Sequence, residues 1–279
     1  MRRIKRSDRL GAMMQTLMAH PNRIHNFSEF CDMFQAAKST ISEDVDILKA
    51  SVGQFGYGEI ETLTGASGGV RYRASISPDA AANELKKLAT ALSKPERLLP
   101  GGFLYTSDIT SNPEVASLLG RMLAQMFYAT NPDFVLTMET KGIPIATMTA
   151  HMLGVPLVIA RRDTRAYEGS AVKINYIAGG SGEKLETMAL ARRAVKPGQK
   201  AVIIDDFMKG GGTLKGMAEM MSEFQAEVVG VGVMIATKEP VVKRISGAKT
   251  LMTLVKADPS TGETVIEPTD DLTNQGEVN

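Results

Sequence analysis

Two adjacent carboxylates, Asp205 and Asp206, stand between an apolar run and a glycine-rich turn, Gly210-Gly211-Gly212-Thr213. Glycines let backbone amides come close to an anion, and the first turn of a helix adds unpaired N–H groups and partial positive charge. Carboxylates repel phosphate, so the acids should serve another part of the same ligand, and vicinal hydroxyls are their natural partners. A sugar phosphate meets both demands, with the acids on its diol and the turn amides on its 5′-phosphate. The G-x-x-x-x-G-K-[ST] and G-x-G-x-x-G spacings are absent, which excludes the common nucleotide loops. Alone, the pattern also fits an ordinary strand–turn–helix with solvated acids.

Residues 201–204 are wholly apolar and rich in β-branched side chains, so they predict a strand buried on both faces that stops at the acid pair. Leu214, Met217, Ala218, Met221 and Phe224 recur at helical spacing, placing a helix start near Thr213, whose hydroxyl could cap it. Because successive strand residues point to opposite faces, both acids reach one ligand only if the chain bends there. A second unit of this kind lies upstream: a strand at 134–137, the turn Glu139-Thr140-Lys141-Gly142, then a helix opening with Pro144. A strand at 156–160 runs into Arg161. A polar stretch, 163–172, leads to Lys173 and a strand that pairs with 185–192 as a hairpin. Strands at 228–236 and 250–255 complete the sheet, and 270–279 reads as a frayed tail. Strands alternating with helices predict an α/β domain with a mostly parallel sheet. Phe103 and Phe207 lie beside the candidate site, where either could stack on a base or simply pack.

Residues 1–74 read differently. Arg2, Arg3, Lys5, Arg6 and Arg9 form a basic arm, and Ser7 can cap a first helix. A second helix spans 27–34, capped from Asn26 or Ser28, and Ser39 caps a third with Ile41, Val45 and Leu48 inward. Lys38, Ser39, Thr40 and Ser42 then occupy the N-terminal end where a recognition helix meets DNA. Two strands near 58–63 and 69–74 form a hairpin, with Arg71 and Arg73 making one face basic. Three helices and a hairpin give a winged helix-turn-helix, although a helical protein-interaction cap has the same outline. Glu43, Asp44 and Asp46 would have to face away from DNA phosphates. A helix at 80–92 connects to the second domain, and we place the boundary near residue 75.

With 279 residues, 43% hydrophobic, there is core enough for two domains. A net charge of +1 excludes a globally basic nucleic-acid binder, and the single cysteine excludes a disulfide framework. No signal peptide or membrane span is legible, so the expectation is a soluble, cytoplasmic protein. His20, His25 and His151 form no metal or triad spacing.

The run Ile203-Ile204-Asp205-Asp206-Phe207-Met208-Lys209-Gly210-Gly211-Gly212-Thr213 resembles the phosphoribosyl pyrophosphate signature of type I phosphoribosyltransferases. That resemblance implies that Asp205 and Asp206 hold ribose hydroxyls and that Met208, Lys209, Gly210, Gly211, Gly212 and Thr213 wrap the 5′-phosphate. It makes Thr140, Lys141 and Gly142 the pyrophosphate loop, and 163–172 a mobile flap, with Arg161 and Lys173 reaching the pyrophosphate. Enzymes of the family more often carry Ala-Thr-Gly-Gly-Thr where this chain has Met208-Lys209-Gly210.

Taken together, the two halves resemble the purine operon repressor family of Gram-positive bacteria. The resemblance rests on Ala37-Lys38-Ser39, Ile41-Ser42-Glu43-Asp44, Leu99-Pro100-Gly101-Gly102, Lys141-Gly142-Ile143-Pro144, Glu168-Gly169-Ser170 and Asp206-Phe207-Met208-Lys209. It implies a winged helix-turn-helix (1–74) followed by a type I phosphoribosyltransferase-like domain (75–279). It further implies a homodimer on double-stranded operator DNA, with phosphoribosyl pyrophosphate and its Mg²⁺ as effector rather than substrate. No residue is assigned a catalytic or resident-metal role. A competing pyrophosphate-bearing nucleotide is a second candidate ligand, and an active purine transferase with an appended regulatory domain is the alternative function.

Overall fold

The computed structural model describes residues 4–65, 68–163, 169–178 and 184–272. The chain divides into two compact units, residues 1–77 with 151–154, and residues 78–150 with 155–279.

In the first unit, α1 (Arg6–Ala19), α2 (Phe27–Phe34) and α3 (Lys38–Phe55) precede an antiparallel hairpin, β1 (Glu59–Leu63) and β2 (Gly69–Arg73). Met13, Leu17, Phe30, Phe34, Ile41, Val45, Leu48, Ile60 and Val70 form its buried apolar side, with Phe30 and Phe34 stacked at 6.2 Å. A backbone bridge from His25 to Val70 adds a third extended segment to the hairpin. Helix α2 starts where its cap dictates, because the Asn26 side chain accepts from the Ser28 N–H and Glu29 returns a bond to the Asn26 N–H. The other two starts differ from expectation. Helix α1 begins after Lys5, with Asp8 accepting from the Lys5 N–H, so Ser7 is already inside the helix. Helix α3 begins after Ala37 with no side-chain cap, which leaves the Ser39 hydroxyl free of that duty.

The second unit is built on a six-stranded sheet. Its leading elements are α4 (Pro78–Leu92), the short pair β3 (Leu98–Leu99) and β4 (Phe103–Leu104), a single turn α5 (Ser107–Thr110), and α6 (Pro113–Gln125). Then come β5 (Phe134–Met138), α7 (Ile143–Leu153), β6 (Leu157–Ala160) and an antiparallel hairpin, β7 (Ala171–Ala178) with β8 (Lys184–Ala191). The order closes with β9 (Lys200–Met208), α8 (Gly212–Glu223), β10 (Glu227–Thr237), β11 (Lys249–Asp258) and β12 (Glu263–Pro268). The sheet runs β12-β11-β10-β9-β5-β6, parallel except for β12. Strand β12 is absent from the sequence expectation. The tail expectation is also corrected at its start: Asp271 accepts from the Thr250 N–H and Leu272 is buried, while 273–279 lie outside the described residues.

Apolar side chains of β5, β9, β10 and α8 make the core beneath one face of this sheet, including Leu136, Ile203, Val233, Met217 and Met221. Strand order reverses between β5 and β9: from β9 the chain proceeds outward through β10 and β11, and from β5 outward to β6. In an open parallel sheet the crevice at the carboxyl ends of two such strands is where ligands bind. Both sequence-predicted turns lie there, one after β5 and one after β9.

Candidate ligand crevice and DNA-reading surface

Strand β9 does not stop at the acids. It continues through Asp205, Asp206 and Phe207 to Met208, because β10 keeps pairing with it up to that end, whereas β5 pairs only as far as Ile203. The two carboxylates therefore have different surroundings. Asp205 is buried below the crevice, where its Oδ1 accepts from the Asp206 N–H at 2.9 Å. Asp206 lines a cavity of about 610 Å³ together with Lys141, Lys209, Phe207, Phe103, Thr106, Thr237 and Glu239. Burial pushes the Asp205 carboxyl well above the ordinary carboxylate range, and the adjacent Asp206 charge adds to that. Burial raises Asp206 too, opposed by the hydrogen bond with Asp205 and the charge of Lys141.

The turn after β9 curls into a small cup of about 180 Å³ lined by Phe207, Met208, Lys209, Gly210, Gly211, Gly212, Thr213 and Leu214. Met208 is the last strand residue and belongs to the core, so the free loop is shorter than the sequence suggests. The cap of α8 is Gly211, at φ +79°, rather than Thr213, which sits inside the first turn. A left-handed cap suits glycine and leaves the first amides of the helix unobstructed. A Cβ on Gly212 would collide with the Ile177 carbonyl oxygen of β7. The β7–β8 hairpin, which follows the segment expected to act as a flap, is thus seated on this loop. The Tyr176 phenol donates to Glu186 at 2.9 Å and also meets the Thr213 hydroxyl, and its pKa is pushed up to about 12, chiefly by burial.

The turn after β5 passes through a cis peptide between Glu139 and Thr140. Gly142 lies against the acids: a Cβ there would sit 2.6 Å from Thr137 Oγ1 and 2.9 Å from Asp205 Oδ1. This close approach brings Lys141 to the cavity beside Asp206. Thr140 is exposed on the turn and does not line the cavity.

Two expected cations are placed elsewhere. Arg161 pairs with Glu139 at 3.3 Å and lines a separate hollow of about 570 Å³ with Leu157, Ile159 and Arg193. The carboxylate of Glu139, also bonded to the Arg162 N–H, draws the guanidinium to that side. Lys173 is half exposed on β7, 3.9 Å from Asp163, and is not among the cavity residues. Residues 164–168, including Arg165, Tyr167 and Glu168, lie outside the described residues. Phe103 lines the cavity mouth and is 70% exposed, whereas Phe207 is half buried in its wall.

Sequence reasoning missed Lys243. Its ammonium donates to the Lys209 carbonyl at 2.7 Å, the Thr237 carbonyl at 2.7 Å and the Thr237 hydroxyl at 3.1 Å, and burial lowers its pKa. Nothing in the local pattern of residues 239–248 marks it, because the contact spans 34 residues.

In the first unit, Lys38, Ser39 and Ser42 are exposed on the opening turns of α3, with Thr40 half buried beside them. The Lys38 ammonium rests 5.9 Å from the Phe27 ring centroid, within reach of a cation–π contact. Lys5 is exposed at the start of α1, and Arg2 and Arg3 lie outside the described residues. The other expected DNA-facing cations have acidic partners. Arg6 pairs with Glu43 at 2.8 Å and Asp44 at 3.2 Å, while Arg9 pairs with Asp44 at 2.6 Å. Asp44 is fully buried, so these bonds hold α1 to α3. The basic wing face is neutralised in part: Arg71 and Arg73 both bond Glu61 at 2.7 Å, and their side chains are only 15% and 19% exposed. Glu61 stands directly opposite Arg71 in the hairpin register, a signal available from the sequence once the turn is placed.

Two family models match the chain: "Bacterial purine repressor, N-terminal" over residues 5–74 and "Phosphoribosyl transferase domain" over residues 106–266. The purine biosynthesis transcriptional repressor PurR of Bacillus subtilis is 40% identical over 252 residues, covering 90% of this chain and 88% of its own. The chain belongs to the PurR family of purine biosynthesis transcriptional regulators. A PurR activator from Lactococcus lactis is 38% identical over 232 residues, covering 83% of this chain and 85% of its own, so the family contains regulators of both signs. Among solved structures, adenine phosphoribosyltransferase from Rhodothermus marinus covers 62% of this chain and 99% of its own at TM-score 0.52 and 21% identity, which shows a shared fold for the second unit of this PurR-family chain. Among the described residues no helix is long and apolar enough to cross a membrane.

Proposed function

We propose that this regulator senses phosphoribosyl pyrophosphate in the β5–β9 crevice, and that filling the crevice changes its affinity for operator DNA. The observation that carries the reading is the convergence of Asp206, Lys141 and the Gly210–Thr213 amide cup at one crevice. Each matches one part of the ligand: the acids its ribose hydroxyls, the cup its 5′-phosphate, Lys141 its pyrophosphate. The exposed start of α3 is the DNA-reading element, where phosphate contacts provide affinity and a few side chains provide sequence readout. An effector shifts DNA affinity only by binding the free and DNA-bound conformations with different strength, and the coupling is reciprocal.

Mg²⁺ fits as the ligand's companion rather than as a resident metal. Asp206 and Glu239 are the carboxylates lining the cavity, and among the described residues no group of three or more His, Cys, Asp or Glu side chains could hold a metal ion. Bound with the ligand, the ion would neutralise part of its charge. The working form is a cytoplasmic homodimer on paired operator sequences, and the crevice binds without turnover. A transferase reading is supported by the matched phosphoribosyltransferase domain.

Operator binding titrated with and without phosphoribosyl pyrophosphate and Mg²⁺ tests the proposal. A shift in DNA affinity that disappears in Asp206→Asn supports it, and no shift at saturating ligand sinks it. Release of pyrophosphate on adding a purine base would move the chain to the transferase reading. Competition by a pyrophosphate-bearing nucleotide, weakened in Phe207→Ala more than phosphoribosyl pyrophosphate is, would mark that nucleotide as the physiological ligand.

A further inference from the structure

The phosphate cup is held open by a bracket that lies far from it in sequence. Lys243 uses its three ammonium protons on three neutral oxygens, the Lys209 carbonyl and the carbonyl and hydroxyl of Thr237. The next residue, Arg244, donates its backbone N–H to the Gly210 carbonyl at 2.8 Å. Ile245 and the Arg244 amide then pack within 3.3 to 3.5 Å of the space a Gly211 side chain would take. Two consecutive carbonyls of the turn are therefore pulled outward onto residues 243 and 244. A peptide whose carbonyl is turned one way has its N–H turned the other, so this pull presents the following amides to the interior of the cup.

We infer that Lys243 is a positioning residue for the 5′-phosphate subsite: it fixes the carbonyl-out, amide-in form of the Lys209–Gly211 turn and lends the cup a positive charge. The inference deepens the functional reading above and rests on it for the identity of the anion. None of the three acceptors is a carboxylate, and the Glu239 carboxylate acts on the ammonium only through space, without a hydrogen bond. A lysine used only for stability would more commonly pair with an acid or lie in solvent. The bracket is anchored at Thr237, the last residue of β10, which also lines the main cavity. Lys243 thus joins the cup to the cavity wall without touching the space that either ligand part would fill.

The test dissects the ligand. Calorimetry would compare ribose 5-phosphate, which needs the cup, with inorganic pyrophosphate and Mg²⁺, which needs the Lys141 turn. Lys243→Met should weaken ribose 5-phosphate about tenfold, the scale of a lost charged hydrogen bond, and leave pyrophosphate within twofold. Equal losses for both probes, or none for either, would overturn the inference. Lys243→Gln keeps two N–H donors without the charge and should fall between. A second readout needs no ligand: the amide NMR resonances of Gly210, Gly211 and Gly212 should move in Lys243→Gln more than those of Lys141 and Gly142. If they stay in place, Lys243 does not set the turn. Should wild-type protein bind neither probe, the functional reading falls while the amide shifts still judge the bracket.

Discussion

Asp44 in the first unit and the Asp205–Asp206 pair in the second are all buried acids, yet their surroundings are opposite. Asp44 receives two guanidinium groups, Arg9 at 2.6 Å and Arg6 at 3.2 Å, and with them fastens α1 to α3. Asp205 and Asp206 receive each other and, at longer range, the charge of Lys141. Burying a charge without a partner is costly, so the second arrangement is stable only because its carboxyls take up protons readily or because something else completes it. The first site is finished in the folded chain, whereas under the proposed function the second is left for a ligand to finish.

Substitutions can break or sharpen that contrast. The largest effect is expected from Asp44→Ala, which strands Arg9 between two helices. Removing one partner of a buried pair typically costs about 3 kcal/mol or more, read as an earlier urea transition of the first unit. A loss near zero would mean the arginines are solvated and the contrast is false. Gly142→Ala should come next, because its methyl group must displace Thr137 or Asp205. Overpacking of this kind costs roughly 1–3 kcal/mol and should also abolish effector response, measured by operator titration.

The smallest effect has the opposite sign. Asp206→Asn should stabilise the ligand-free second unit by about 1 kcal/mol, the scale of relieving a poorly compensated buried charge, while removing the effector response. The sign of the pH dependence follows from the raised carboxyls. Above the ordinary aspartate value and below the raised one, the folded chain binds more protons than the unfolded chain. This contribution to stability is full below the ordinary value and is lost as pH rises through the raised one. Thermal melts of the second unit between pH 4 and pH 8 should show that decline in wild type and less of it in Asp206→Asn. An identical slope in both would place the titration elsewhere.

How much of this was legible in the sequence depended on how local each cause was. Helix α2 was read to the residue because Asn26 and Glu29 cap it within one turn. The strand–acid–glycine order was legible for the same reason, as was the pairing of the β7–β8 hairpin. The starts of α1, α3 and α8 differ from expectation because a serine or threonine near a helix start need not be its cap: a carboxylate serves α1, a left-handed glycine serves α8, and α3 opens after Ala37 with no side-chain cap. The extension of β9 through two aspartates is not legible, since it depends on pairing with β10 rather than on residue type. Charge alone marks Arg161 and Arg71, but it does not show that Glu139 and Glu61 pair with them. Lys243 was invisible because its acceptors are backbone and hydroxyl oxygens of residues distant along the chain or outside any motif.

The antiparallel direction of β12 has a practical corollary. Strand β11 climbs from Lys249 toward the crevice end of the sheet, and β12 descends again, so Thr269 bonds Leu251 and Asp271 bonds Thr250 near the foot of β11. Leu272 accordingly sits at the floor of the sheet, across its full height from Asp206. A biotin or fluorophore joined at the neighbouring exposed Asp270 would tether the second unit by its base, leaving the mouth of the crevice clear for a sensor-chip measurement of small anions.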